Sequence, residues 1–569
     1  MTHSRKRALC WLYAALMTAA MMLYVLLCTE VSYAMNDDAG ILRAFLGYES
    51  GVPASFHIYI HGLLAWPLRA LSTAFPGLPW FSYAQLALLA LACLVIAKSL
   101  MQCFVKHEKA LWAGAVLAGV VLAALCMKYV IRLTFTQTSA LLGAAAVLQI
   151  CSIEHDRGGA KVVLGMAGAL VLVAFSYALR QITALPVLAF CGLAWLIALW
   201  EAYGKKQGRS IRPMLLSLVM VAVVMLGLVG VRELEIRQSD AQGYLAWQEA
   251  NTDVIDFYGL SSVPDEAFDL VGWDESTRAM AKKWCFLDSD LSSEAFLTLT
   301  EYMDTHDQRT FADRVKEAGD TFAGVVRGNA DDMLCLLPAL IVGLCTLIFA
   351  VAHRRWTVVF GIAAAVCGSA VMLFYLAYGG RLPLRALLMV ALPASALFFG
   401  LLPAALPKKA QLPLVVCCAA IAVWCVAVFL PGMLPDEEAD LELGNAMGDL
   451  EEYALSEPES LFIYDDTLVG ADVRAFPDYS EGVPHNITFW GGWGLRSPEN
   501  KQLFERFGID LDHFEPETLL RDDVFIASGR VDPPPMLILN WLHEKVGENI
   551  DWEIWSEYGN VYIFHFYEY

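Results

Sequence analysis

The sequence is poor in charge. Only 17% of its 569 residues are charged, and 57% are hydrophobic, against about 25% and 45–50% in ordinary soluble domains. It has no phosphate-binding glycine motif and no nucleophile elbow, which removes two common routes to nucleotide or acyl chemistry. Its 14 cysteines include no CxxC metal pair, and none lies beyond Cys425. A disulfide scaffold and a zinc module are therefore excluded. Cys285 alone falls in a polar stretch; the others sit in apolar runs, where they act as small hydrophobes. A single soluble enzyme and a disordered chain are excluded by the same composition, leaving a polytopic membrane protein.

A net charge of −21 is unusual for such a chain, and its location is informative. Residues 232–332 hold 22 acidic and 9 basic residues; residues 434–569 hold 30 and 7. The remainder is basic, with eight carboxylates: Glu30, Asp37, Asp38, Glu49, Glu108, Glu154, Asp156 and Glu201. Two acidic soluble modules are thus joined to a basic membrane module. Both would repel phosphate backbones, so nucleic acid is not an expected partner.

Eleven apolar runs approach the roughly 20 residues a span requires: Ala8–Leu27, Trp80–Cys103, Ala110–Met127, Phe135–Cys151, Val162–Tyr177, Ile182–Trp200, Met214–Val231, Met333–Ala352, Trp356–Ala377, Leu384–Leu402 and Leu412–Leu430. Arg5, Lys6 and Arg7 precede the first, which reads as a retained signal-anchor because no clean cleavage site follows. The basic loops Lys106–Lys109, Arg157–Lys161, Lys205–Arg212, Arg354–Arg355 and Lys408–Lys409 place those loops and the N-terminus in the cytoplasm. That holds only if the chain crosses once before Trp80. Phe56–Phe75, which contains His57, His61, Pro67 and Arg69, is therefore expected as an interfacial helix on the outer face.

The expected organisation follows. Residues 1–231 form a membrane module with a first outer loop at 28–79; residues 232–332 form a large outer loop; residues 333–433 supply the last spans. Residues 434–569 form an outside α/β domain. In that domain Ser460–Tyr464, Ile487–Trp490 and Val524–Ser528 read as strands, and Pro498–Phe507 and Pro535–Val546 as helices. Trp552–Trp555 and Val561–Phe566 flank a turn and read as a hairpin. The fold class is a polytopic α-helical membrane protein with a C-terminal extracytoplasmic α/β domain, at the plasma membrane.

This topology leaves Glu30, Asp37, Asp38 and Glu49 in the first outer loop. The adjacent pair Asp37 and Asp38 suits general-base work on an acceptor hydroxyl, and equally suits capping of a helix starting near Ala39. Outer-face arginines run against the positive-inside trend. Arg381 and Arg385, in Gly379-Gly380-Arg381-Leu382-Pro383-Leu384-Arg385, and Arg180, between two apolar runs, suit a lipid-linked phosphate; interfacial snorkelling is the alternative. His57 and His61, four apart, suit a metal or a sugar contact, as does Glu49 the latter, but no third metal ligand accompanies the histidines. The aromatic-glycine stretch Phe489–Trp493 suits either stacking on a sugar or core packing.

One span, an outer loop opening on an acidic pair, six spans, a long outer loop, further spans and an outside C-terminal domain form a layout. With Asn36-Asp37-Asp38 and Gly380-Arg381-Leu382-Pro383, it resembles the GT-C superfamily of integral-membrane glycosyltransferases. The resemblance implies transfer of a sugar from a polyprenyl-phosphate-linked donor to a cell-surface glycan, lipid or protein. It implies Asp37 or Asp38 as base and a basic residue on the donor phosphate, matched best by Arg381, then Arg180 and Arg385. No oligosaccharyltransferase-type WWD motif is present. A divalent metal is compatible with this chemistry but not demanded by it. A lipid-linked sugar flippase, or a noncatalytic polysaccharide assembly protein, are the rival readings; a transporter would carry its ionisable residues inside the spans.

Overall fold

The computed structural model describes residues 3–48, 50–154, 159–204, 208–239, 241–307, 309–433, 439–469, 474–480, 482–530 and 534–569. Ten helices among them are long and apolar enough to cross a membrane: Ser4–Cys28, Trp80–Lys106, Leu111–Ile131, Gly159–Leu179, Gln181–Gly204, Ile211–Gln238, Ala330–Ala352, Trp356–Tyr378, Leu384–Ala405 and Lys408–Phe429. Phe135–Cys151 is an eleventh apolar helix, shorter at 17 residues. All eleven correspond to the runs read from sequence. Their ends differ. The seventh helix continues past Val231 to Gln238, and the eighth begins at Ala330 rather than Met333. Polar residues extend a helix once its apolar stretch has nucleated it, so hydropathy alone undercounts such ends.

Phe135–Cys151 is the central post of the bundle, buried along nearly its whole length. It packs against Trp80–Lys106, Gly159–Leu179, Ala184–Gly204 and Leu384–Ala405. Small residues permit this approach. A Cβ on Gly143 would lie 2.1 Å from a Val187 methyl. By contrast Leu215 and Leu226 on the seventh helix and Tyr375 on the ninth are exposed, as lipid-facing side chains would be.

The loop between the first two spans is anchored by a two-residue parallel pair, β1 (Ser32–Tyr33) with β2 (Arg132–Leu133). A helix, Asn36–Leu46, follows β1 at once. Asp37 and Asp38 in its first turn complement the helix dipole. Gly47, in the left-handed conformation at φ 78°, ends it. Its N-cap is Met35, without a side-chain cap, so the acidic pair lies inside the helix and does not cap it. The expected interfacial helix Phe56–Phe75 is shorter, Gly62–Ala74. His61 caps it through Nδ1, which accepts from the Leu63 amide at 3.0 Å, and Leu63, Trp66 and Leu71 are exposed along it.

The C-terminal region builds a five-stranded mixed sheet from β3 (Leu461–Tyr464), β4 (Ile487–Phe489), β5 (Val524–Ser528), β6 (Ile550–Tyr558) and β7 (Val561–Glu568), in the order β4-β3-β5-β7-β6. β4, β3 and β5 run parallel, and β7 and β6 form an antiparallel hairpin on that edge. Gly559, at φ 57°, and Asn560 supply the two-residue turn.

The two acidic stretches read from sequence as separate modules share one hydrophobic core. Trp247, Trp273, Phe286 and Phe296 pack with Trp490, Phe504, Trp541 and Phe564. The join is a backbone bridge between Cys285 and Gly491, with the Phe286 amide donating to the Trp490 carbonyl at 2.9 Å. A Cβ on Gly491 would sit 1.5 Å from the Trp284 carbonyl oxygen, so only glycine allows it. Buried Asp288 completes the join, accepting from Thr277 at 2.6 Å and from the Trp541 indole at 2.9 Å.

Candidate functional site

A cavity of about 450 Å³ opens where the loop between the first two spans, the 232–332 stretch, the 378–385 segment and the C-terminal sheet meet. The volume falls within the range of small-molecule sites, about 300–1,000 Å³. Asp37, Arg381 and Arg385 all line it, together with Arg43, Tyr59, Asp256, Asp466 and Trp493. Two segments far apart in sequence thus deliver the Asp37 carboxylate and the Arg381 and Arg385 guanidinium groups to one space.

Asp37 is held at both oxygens. Oδ2 pairs with Arg385 Nη1 at 2.6 Å, and Oδ1 accepts from the Trp493 indole at 3.2 Å. Trp493 is fixed in turn. Its carbonyl accepts from the Tyr244 hydroxyl at 2.5 Å and the Gln248 amide at 2.8 Å, and its ring stands edge-on to His57 and Tyr59. Gly40 makes room for it: a Cβ there would lie 2.9 Å from the indole. Arg381 pairs with Asp256. Arg43 donates to the Tyr464 hydroxyl at 3.0 Å and so ties the first-loop helix to the end of β3.

Asp38 has a different environment. It is fully buried and does not line the cavity. Its Oδ1 accepts from Gln85 at 2.8 Å and from the Phe135 amide at 2.7 Å; Oδ2 has no partner among the described residues. The β1–β2 pairing explains this geometry, since β1 leads into Asp38 and β2 leads into Phe135. Burial pushes the Asp38 carboxyl well above the usual aspartate range, against the opposing pull of the Gln85 and Phe135 hydrogen bonds. Asp38 therefore clamps the loop to the bundle through these two hydrogen bonds.

The remaining sequence candidates separate. Arg180 lies behind Tyr59, its guanidinium 4.4 Å from that ring and 5.0 Å from Phe135, with Nη1 buried and unpartnered. His57 and His61 do not line the cavity. They flank an irregular segment rather than sharing a helix face, so the four-residue spacing that suggested a shared ligand has no structural counterpart. The His57 ring packs on Phe45 and Trp493, and burial, with Arg232 and Arg180 nearby, keeps it neutral. His61 spends both ring nitrogens, one on its cap and one at 2.7 Å from the Leu228 carbonyl. Glu49 lies outside the described residues. No cluster of three or more metal-ligating side chains occurs among the described residues.

Sequence reasoning missed Asp256, Asp466, Gln248, Asn251 and Trp284 as cavity residues. Asp256 sits in a widened π-type helical turn, Asp253–Tyr258, a feature frequent at functional sites but without a sequence signature. Trp284 carries a signal visible only in the backbone, a φ of 58° in a bulky residue.

No family model matches the chain, and no curated protein matches it. The structure is similar to the crystal structure of ArnT from Cupriavidus metallidurans bound to undecaprenyl phosphate, at 13% identity and a TM-score of 0.38, covering 97% of each chain. The apo state of the same protein gives 13% identity and a TM-score of 0.39, again over 97% of both chains. With TM-scores below one half, the likeness bears neither on the chemistry nor on any residue's role.

Proposed function

We propose that the protein is a membrane glycosyltransferase of the GT-C kind, using a polyprenyl-phosphate-linked sugar and acting at the outer face of the plasma membrane. The observation that carries the reading is the meeting of Asp37, Arg385 and Arg381 in one cavity beside the apolar bundle. Each group has a task. The Asp37 carboxylate accepts the proton of an acceptor hydroxyl as its oxygen attacks the anomeric carbon. The bond from that carbon to the phosphate oxygen breaks, and its electron pair leaves with the polyprenyl phosphate. Arg385 and Arg381 stabilise the growing phosphate charge. Arg180, with an unspent guanidinium N–H behind Tyr59, reinforces the positive potential.

The two carboxylates divide the labour. Asp37 is the base, because it faces the cavity; Asp38 positions it by fixing the helix that carries both. Asp37 and Arg385 pair with each other, and a phosphate on Arg385 competes with that pair and frees the carboxylate for the acceptor.

The test uses the full chain in nanodiscs with undecaprenyl-phosphate hexose and host envelope acceptor. The transferase reading predicts release of undecaprenyl phosphate coupled to sugar transfer. A flippase would move the lipid-linked sugar across proteoliposomes with the sugar–phosphate bond intact, and that result would sink the proposal.

A further inference from the structure

The cavity has a second wall that the transfer chemistry does not use. Trp284, Phe489, Asn251 and Asp466 line it on the soluble side, and Asn36 lies at its edge. The Asn36, Asn251 and Asp466 side chains make no hydrogen bond or ion pair among the described residues, whereas nearly every polar group on the membrane side is spoken for. Two aromatic residues with unspent amide and carboxylate groups between them match one ligand chemistry. A sugar ring offers an apolar face to an aromatic and a rim of hydroxyls to amides and carboxylates.

Trp284 is the most specific part of this wall. Its side chain is 42% exposed, although bulky residues avoid both exposure and a positive φ. The unfavourable backbone is maintained by the Cys285–Gly491 bridge, which seats the Trp284 carbonyl where glycine alone leaves space. Strain of this kind persists where the surroundings impose it and clusters at ligand clamps. The same bridge joins the 232–332 stretch to the C-terminal sheet, so the wall exists only when both have docked.

We propose that this wall binds the acceptor and that the acceptor is a carbohydrate, so that the bond formed joins one sugar to another. The proposal rests on the transferase reading and narrows its acceptor from glycan, lipid or protein to a sugar hydroxyl. Asp37 and the arginines line the same cavity, so an acceptor held by this wall has its hydroxyl in the space that the base faces. The acceptor loses its hydroxyl proton to Asp37, and polyprenyl phosphate leaves with the electron pair of the broken bond.

The experiment incubates the full chain in nanodiscs with undecaprenyl-phosphate glucose, mannose or galactose, each radiolabelled in the sugar, and with the host envelope fraction. Partial acid hydrolysis of the product is expected to release a labelled disaccharide. Label recovered only on an amino acid or on a non-sugar lipid hydroxyl overturns the acceptor proposal while leaving transfer intact. Absence of transfer from all three donors overturns the transferase reading and this proposal with it. Trp284→Ala is expected to raise the KM for protease-treated, lipid-extracted envelope polysaccharide about tenfold, with Trp284→Phe restoring most of the loss. Asn251→Ala, which leaves the Trp284 backbone untouched, is expected to move the same KM. A rise in the donor KM alone places the donor's sugar on this wall and overturns the assignment.

Discussion

The membrane-side wall of the cavity and its soluble-side wall are built on opposite rules. On the membrane side, charges are paired and fixed: Asp37 to Arg385 and Trp493, and Arg381 to Asp256. On the soluble side, the amides of Asn36 and Asn251 and the carboxylate of Asp466 have no partner among the described residues. Preorganised charges are positioned by folding, so that during the reaction they exchange partners without moving far. Polar groups that face a cavity without protein partners can exchange water for the groups of a ligand. The first wall is therefore suited to chemistry and the second to recognition.

Removing a charge from the first wall has the largest expected effect. Arg385→Ala takes away the guanidinium that pairs with Asp37, and under the proposed transfer it is expected to lower the rate about 10²–10³-fold. Steady-state release of undecaprenyl phosphate measures it, and a loss of less than fivefold would assign the phosphate to another residue. Gly491→Ala attacks the second wall at its foundation. The backbone overlap with Trp284 is expected to separate the two soluble stretches or to cost about 1–3 kcal/mol of stability, read as greater protease sensitivity of the 232–332 stretch.

Asp38 separates position from chemistry. Asp38→Ala strips an acceptor from Gln85 and from the Phe135 amide, at about 1–3 kcal/mol for each buried donor left unpaired. Asp38→Asn keeps an acceptor oxygen and is expected to retain transfer within about tenfold of wild type, measured beside a thermal unfolding midpoint. The smallest effect is a pH dependence. Glu499 is buried against the first loop, where it accepts from the Ser55 and Phe56 amides at 3.3 and 3.5 Å. Burial raises its carboxyl from the ordinary 4.5 to about 7. Between those values the folded chain binds the proton and the unfolded chain releases it, so stability falls as pH rises through that window and levels off above it. Glu499→Gln is expected to flatten this slope in thermal unfolding between pH 4.5 and 7.

Much of the bundle was legible because burial in lipid demands long apolar runs, and all eleven helices follow from them. The α/β order of the tail was legible from its alternating apolar strands and its Pro and Gly boundaries. The cavity was only partly so. Asp37, Arg381 and Arg385 stand out because ionised groups are scarce beside spans. Asp38 looked equivalent to Asp37 in sequence; the β1–β2 pairing that buries it is a contact between residues about a hundred positions apart, which no local pattern encodes. His57 and His61 misled because their spacing is helical and the segment between them is not. Trp284 and Asn251 were invisible because their value depends on the docking of two stretches whose shared core is a tertiary fact.

The central claim is that Asp37, not Asp38, is the base. The direct measurement is the single-turnover rate of sugar transfer by Asp37→Asn, with donor binding measured in parallel. The account predicts a loss of about 10²–10⁴-fold in a folded protein that still binds undecaprenyl-phosphate hexose. An Asp37→Asn chain that transfers sugar at close to the wild-type rate would contradict it.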